Sequence, residues 1–595
     1  MPEANNAAET LPQWNLGDLY SGPEAPELEA DLDDAAAQAK RFQETYQGKL
    51  AELDGVELAG AIGAYEAFTE TLHRAMSYAM LLHSTHTTDP DVGRFLQTLQ
   101  ERVNAITTET LFFTLELNSI DDAVIEAQLA APEAARYAPW VRDSRAFRPH
   151  QLSEDQEKLL HEKEVAGRRA WIRLFDETLA HLRFRLDGEE KPLTDTLNQL
   201  TDSDGGKRRA AGKALADGLR GSERLFATIT NTLAKDKEIE DRWRSFETPA
   251  APRHLANRVE SDVVEALVGA VRDNYADLAH RYYGLKARWM GADTLDWWDR
   301  NAPLPEDSDR RFTWDEARDT VLGAYGGFDP RMAATAERFF TDGWIDAPPR
   351  EGKNSGAFAH PTVPSAHPYV LLNYHGKARD VMTLAHELGH GVHQVLAAPQ
   401  GLLLSDTPLT LAETASVFGE MLTFRAMLDA ETDPARRRVL LAGKVEDMLN
   451  TVVRQISFHE FETQVHAERQ SGELAAERIG DIWMETQRAS LGPVFNFDDD
   501  YRILWAYIPH FIHVPFYVYA YAYAFGDCLV NALYAVFQDG HAGFQEKYLD
   551  MLAQGGAKRH KELLAPFGLN ASDPDFWKKG LGVISGFIDE LEAAL

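Results

Sequence analysis

The chain has 595 residues, 44% of them hydrophobic, enough to bury a large core in about two to four packed units. Lys and Arg number 60 against 94 Asp and Glu, and the net charge of −34 disfavours nucleic acid and anionic membranes as partners. A single cysteine, Cys528, excludes an internal disulfide and suits a reducing compartment.

The opening MPEANNAAET is polar and is read as a disordered tail. It has neither the basic start nor the apolar stretch of a secretory signal, so the expected location is the cytoplasm. From residue 24 to about 245, Ala, Leu, Glu and Arg recur at three-to-four spacing, which predicts one helix after another. Breaks fall near Asp54-Gly55, Ala131-Pro132, Arg148-Pro149 and between Asp202 and Gly206. Residues 254 to 290 are helical again, and WWDRNAPLPEDSDRRFTWDE, starting at Trp297, is an irregular entry to the next helix. The stretch from Trp344 to Tyr374 is Pro- and Gly-rich, and Val370, Leu371, Leu372 and Tyr374 predict a short strand. A sheet edge here would offer unpaired backbone groups to an extended peptide, which binds by adding a strand. GAFAH, Gly356 to His360, is the expected edge, with Gly356, Ala357 and Phe358 as its substrate-binding residues. The plainer alternative is a structural hairpin.

The next segment, DVMTLAHELGHGVHQVL, carries the most chemistry. On a helix, residues four apart share a face, so His386 and His390 point their imidazoles at one metal ion. Glu387 lies beside that ion without ligating it, where a carboxylate takes a proton from metal-bound water. Two other His-Glu pairs, His161-Glu162 and His459-Glu460, lack a second His at this spacing. Asp380 is read as the helix cap, and Val381, Leu384, Leu388 and Val392 make the helix largely buried. Gly389 and Gly391 weaken the helix and fit a close approach by another backbone or a substrate.

Such a site needs a third protein ligand and an open fourth position. The metzincin pattern is excluded, because position 393 is His and position 396 is Leu. The following segment, TPLTLAETASVFGEMLTFRAML, reads as one buried helix capped by Thr407. Glu413 and Glu420, seven apart, share a face of it. Glu413 is taken as the third metal ligand and Glu420 as the acceptor for the N–H of a ligand imidazole.

The run GKARDVMTLAHELGHGVHQ, with Glu413 of LAETASVFGE 27 positions after His386, resembles the M3 family of zinc oligopeptidases, in its oligoendopeptidase F branch. PQWNLGDLY, GAFAHPTVPSAHPYVLLNYHGKARD and IPHFIHVPFYVYAYAYAFG are similar to further segments of that branch. The resemblance implies one zinc ion per chain, bound by His386, His390 and Glu413. Glu387 would be general base and then proton donor to the leaving amine. His510, His513, Tyr517, Tyr519 and Tyr521 are implied to hold the scissile carbonyl and its oxyanion.

The segment from Phe511 to Phe537 is not read as a membrane span, because His513, Pro515, Asp527 and Asn531 would be costly in a bilayer. The expected fold is mostly α, a two-lobed helical metallopeptidase with a deep central cleft and a small β-sheet next to the zinc helix. Residues 1–10 would be the tail, 11–200 an N-terminal helical region and 201–595 the catalytic region. The expected function is zinc-dependent cleavage of internal bonds in short, unstructured peptides, with no nucleic acid and no membrane as partner. The alternatives are a dipeptidyl carboxypeptidase or other exopeptidase of the same fold, and an inactive peptide-binding protein. Composition and motifs leave the oligomeric state open.

Overall fold

The computed structural model describes residues 11–594 apart from 187, 305–309, 515 and 517–519. The expected tail, residues 1–10, and two expected site residues, Tyr517 and Tyr519, therefore lie outside the described residues. The chain is mostly helical, as its periodicity requires, with three small sheets among the described residues. It forms two compact units, each assembled from three stretches. One takes Met1–Arg148, Asp309–Ala430 and Gly540–Gly568; the other takes Pro149–Ser308, Glu431–Asp539 and Leu569–Leu595.

In the first unit, helices α1 (Trp314–Phe328) and α2 (Pro330–Thr341) follow one another with ordinary cap chemistry. The Thr313 hydroxyl accepts from Glu316 N–H, while the Glu316 carboxylate accepts from Thr313 N–H. Asp329 caps α2 ahead of Pro330, whose missing N–H costs nothing in the first turn. Strands β1 (Ile345–Asp346), β2 (Phe358–His360) and β3 (Tyr369–Leu371) make a sheet in the order β1-β3-β2, so β2 is an edge. β3 pairs parallel to β1 and antiparallel to β2, with Ala359 opposite Val370. The strand expected at Val370, Leu371, Leu372 and Tyr374 is thus present in part: it begins one residue earlier and ends at Leu371, with Leu372 and Tyr374 beyond it.

Helix α3 (Ala378–Ala397) follows β3, and α4 (Leu409–Ala412) and α5 (Thr414–Ala430) follow it in turn. α3 and α5 pack against each other more closely than side chains would allow. A Cβ on Gly389 would come within 2.5 Å of the Ala415 carbonyl oxygen and 2.6 Å of Ser416 Cα. A Cβ on Gly391 would run into the Phe339 ring of α2. Aromatic posts hold both helices from behind. Tyr325 of α1 donates its hydroxyl to the Ala385 carbonyl at 2.5 Å. Tyr548, on helix α6 (Phe544–Leu552), donates to the Thr414 carbonyl at 2.8 Å.

In the second unit, Phe458, Phe461, Trp483, Trp297 and Tyr501 centre the core, with the helix Val453–Gln470 running through it. Its Phe184–Leu186 and Glu189–Lys191 strands form a hairpin in a region whose periodicity predicts helix throughout. The turn runs through Gly188 at φ 85°, a left-handed conformation that a helix excludes. His254 and His459 are buried here, and burial pushes both imidazoles down to about 4.

Two outcomes follow from this packing. Gly389→Ala forces α3 and α5 apart and should cost about 1–3 kcal/mol of stability; an unchanged melting temperature would show that the two helices separate freely. The second concerns acid. Below pH ~6.5 the unfolded chain protonates His254 and His459 while the folded chain refuses the proton down to about 4. Stability is therefore unaffected by these groups above about pH 7 and is lost as pH falls from ~6.5 toward 4. His459→Gln should make that loss shallower by up to about 1.4 kcal/mol per pH unit, measured by denaturant melts across the range.

Candidate metal centre

α3 starts where Asp380 turns its carboxylate back over the helix entrance, accepting from the N–H groups of His375 at 2.8 Å and Lys377 at 2.9 Å. Asp380 thus serves from inside the first turn rather than as the cap residue itself, which is Lys377. The helix presents His386 and His390 side by side, with ring centroids 4.9 Å apart.

The acidic segment is not one continuous helix. The chain breaks at Glu413, which lies between α4 and α5 with φ −79° and ψ 0°. Released from helical register, its carboxylate reaches both imidazoles, with Oε2 at 3.3 Å from His386 Nε2 and 3.5 Å from His390 Nε2. Glu420, two turns along α5, faces the other nitrogen of His386, with Oε2 at 3.2 Å from Nδ1. Ser416 donates its hydroxyl to Glu413 Oε2 at 2.7 Å, and the Ala412 carbonyl accepts from the His390 ring.

His386, His390 and Glu413 bring three ligating atoms within 4.8 Å of one another, and no other such group occurs among the described residues. Ligands about 2.0–2.2 Å from a tetrahedral ion stand about 3.3–3.5 Å apart. The observed separations meet that demand, and the two-imidazole, one-carboxylate donor set suits zinc chemistry. The three side chains also keep part of their surface open, as a site that must admit water and substrate requires.

The electrostatics describe a pocket that wants a cation. Burial works against a charged His386, but hydrogen bonds to Glu413 and Glu420 outweigh it and raise the imidazole to about 10. Burial also works against the Glu413 carboxylate, yet His386, His390 and Ser416 bring it down to about 2. His390 is lowered to about 4, chiefly by burial. Glu387 is 7% exposed, and burial pushes it up to about 7 against the pull of His386 and of the Ala359 N–H.

That N–H belongs to the edge strand β2. Ala359 donates it to Glu387 and accepts from Gln394 Nε2 at 3.2 Å through its carbonyl. Of the expected edge residues, Phe358 opens the strand, whereas Gly356 and Ala357 precede it. Gly356 is held by Asn354 and Asn373. A cavity of about 1160 Å³ opens beside His390 and is lined by His360, His393, Met76, Val103 and Pro364 among others. It is at the upper end of the about 300–1,000 Å³ of small-molecule sites and is roomy enough for a stretch of peptide.

Of the expected His/Tyr residues, His510, His513 and Tyr521 belong to the second unit, and Tyr517 and Tyr519 lie outside the described residues. His513 is exposed, with Nε2 at 2.6 Å from Asp176 Oδ1. His510 is exposed as well, and partial desolvation of its ring, Arg454 and His513 lower its imidazole. Tyr521 is fully buried, its hydroxyl accepting from Asn257 Nδ2 at 2.7 Å and lying 3.1 Å from His254 Nδ1. A phenol so enclosed braces the core of its unit. Ser416, Ala412 and the bond from the expected edge residue Ala359 to Glu387 have no counterpart in the sequence analysis. Ser416 could have been found from its position three residues after Glu413; the other two act through backbone groups, which side-chain patterns do not show.

Known proteins place this geometry. A model of peptidase family M3 matches residues 199–583, more than half of the chain, and a model of oligopeptidase F matches residues 116–184. Oligopeptidase PepF of Bacillus subtilis is 25% identical over 598 residues, covering 98% of this chain and 87% of the relative. Group B oligopeptidase PepB of Streptococcus agalactiae is 26% identical over 603 residues, covering 98% and 96%. Among solved structures, a putative peptidase from Chlamydophila abortus shares the fold with a TM-score of 0.86 at 23% identity, covering 98% of each chain. Oligoendopeptidase-F from Enterococcus faecium does so with a TM-score of 0.70 at 21% identity, covering 96% and 98%. Among the described residues no helix is long and apolar enough to cross a membrane. With its His/His/Glu centre and a family model spanning most of its length, the chain belongs to peptidase family M3, in the oligopeptidase F branch, and is a metallopeptidase.

Proposed function

We propose that this protein is a zinc-dependent endopeptidase that cuts short, unstructured oligopeptides at internal bonds, with one zinc ion per chain held by His386, His390 and Glu413. The observation that carries the reading is the convergence of these three side chains with a buried carboxylate, Glu387, that ligation does not need. A protein that only bound peptides would have no use for Glu387. The names of the bacterial relatives, oligopeptidases and oligoendopeptidases, support the substrate class.

When bound, zinc supplies a Lewis acid that polarises a peptide carbonyl and lowers the pKa of water toward 7. The protein's own groups do the rest. Glu387, raised to about 7 by burial, is poised to accept a proton from the attacking water at its carboxylate oxygen and to pass it to the leaving amine nitrogen. Glu420 takes the Nδ1–H of His386 and so leaves Nε2 to face the metal. Ser416 fixes the rotamer of Glu413.

Substrate would lie along the outer edge of β2, taking over the bonds that Ala359 makes to Glu387 and Gln394, approached from Gly356 and Ala357 through Phe358, with its neighbouring side chains in the cavity beside His390. Recognition of backbone rather than side chains gives loose sequence specificity. The metal-binding part of the reading stands on the first unit; His510, His513, Tyr517 and Tyr519 stay as candidates to hold the scissile carbonyl and its oxyanion, a role for which Tyr521 is too enclosed. Digestion of peptides blocked at both ends, with products mapped by mass spectrometry, tests the mode of attack. Internal cleavage supports an endopeptidase, and failure to cut blocked peptides that are cut when free would make it an exopeptidase.

Two variants test the roles. Glu387→Gln should retain metal and fold while turnover falls about 10²–10⁴-fold; near-normal turnover in the metal-loaded variant would remove Glu387 from proton transfer. Glu413→Ala should lose metal on dialysis far more readily than Glu420→Ala, because loss of an outer partner costs only about 10–100-fold in affinity. Equal metal contents in the two dialysed variants would show that Glu413 is not a ligand.

A further inference from the structure

Gln394 stands one helical turn beyond His390, as His390 stands one turn beyond His386, so the three share a face of α3. It lines the cavity beside His390 together with His360, Pro361 and His393. Its side-chain amide crosses from α3 to the edge strand, where Nε2 donates to the Ala359 carbonyl at 3.2 Å. Its Oε1, at the other end of the same amide, is shut off from solvent and accepts from none of the described residues.

A buried acceptor left without a donor costs about 1–3 kcal/mol. The Ala359 bond offsets little of that, because 3.2 Å lies at the long end of N–H···O distances. An apolar side chain of the same length would fill the place without the cost, so the amide calls for a use beyond packing.

Strand addition supplies one. Ala359 turns both its backbone groups away from β3, the N–H to Glu387 and the carbonyl to Gln394. A peptide added along β2 takes that carbonyl with one of its own N–H groups, which frees the Gln394 amide at both ends. In a paired strand, alternate residues turn their N–H away from the partner. The peptide residues on either side of the one bonded to Ala359 therefore hold N–H groups that β2 does not take. We propose that Gln394 binds the substrate backbone: Nε2 gives up the Ala359 carbonyl to the incoming peptide, and Oε1 accepts an N–H from a residue next to the one paired with Ala359. This rests on the strand-addition reading above and adds a restriction to it. Side chains are read loosely, but one backbone position must carry an N–H, so proline is refused there.

The test uses the full-length, zinc-loaded protein and end-blocked peptides of one sequence, each methylated at a different backbone nitrogen. Gln394→Met keeps the length of the side chain and removes both polar ends, so metal content and melting temperature should match the parent; should it fold poorly, Gln394→Leu takes its place. KM for the unmethylated peptide should rise about 3–10-fold in the variant with kcat changed less than about twofold, as for a hydrogen bond made in substrate and transition state alike. At one position, methylation should raise KM by a similar factor more in the parent than in the variant, a coupling that a structural glutamine does not produce. An unchanged KM, a fall in KM (which would make Gln394 only a plug on the edge), or equal effects of every methylation in both proteins would each overturn the proposal. Failure of the parent to cut the unmethylated peptide would instead overturn the endopeptidase reading, and the same comparison is then made on the binding affinities of fluorescent peptides.

Discussion

Everything about the metal centre depends on how closely α3 and α5 run past one another. Gly389 gives up a side chain so that the backbone of Ala415 and Ser416 can lie against α3. That approach brings the start of α5, and with it Glu413, to the face of α3 that carries His386 and His390. A carboxylate has one short side chain with which to span the gap, so a shift of 1 Å would break the 3.3 and 3.5 Å separations on which ligation rests. The spacing is fixed from behind by Tyr325 and Tyr548, whose hydroxyls take the Ala385 and Thr414 carbonyls. Both phenols are buried, where an unmade hydrogen bond costs about 1–3 kcal/mol, so neither helix can slide without penalty.

The charge pattern has the same logic. Glu387, Glu413 and Glu420 crowd around two imidazoles in a poorly solvated place, an arrangement that repels itself unless a cation enters. The same crowding raises the His386 imidazole and lowers the Glu413 carboxyl.

Much of this was legible in the residues, for identifiable reasons. The i, i+4 spacing of His386 and His390 is a property of any helix, and the helix itself was announced by its apolar positions. The small sheet was legible from Val370 and Leu371. Less legible was whatever depends on the path of the backbone. TPLTLAETASVFGEMLTFRAML has uninterrupted helical character, yet the chain breaks at Glu413, because the carboxylate gains more from the imidazoles than one turn gains from continuing. Tyr521 sits in a run of tyrosines that look alike in sequence; only the positions of Asn257 and His254, more than 260 residues away, show that its hydroxyl is spoken for. The interleaving of six chain segments into two units has no local signature at all.

In the proposed mode of binding, the edge strand would join substrate binding to the proton-transfer group. Without substrate, Ala359 spends its N–H on Glu387 and its carbonyl on Gln394. A peptide that pairs with β2 at this register needs those same two groups. Docking a strand therefore removes the donor that helps keep Glu387 ionised, and the excluded water deepens its burial. Both changes raise the affinity of Glu387 for a proton as the scissile bond arrives. On this proposal the group that must take a proton would become a better base when a peptide backbone is in place, whatever side chains that peptide carries.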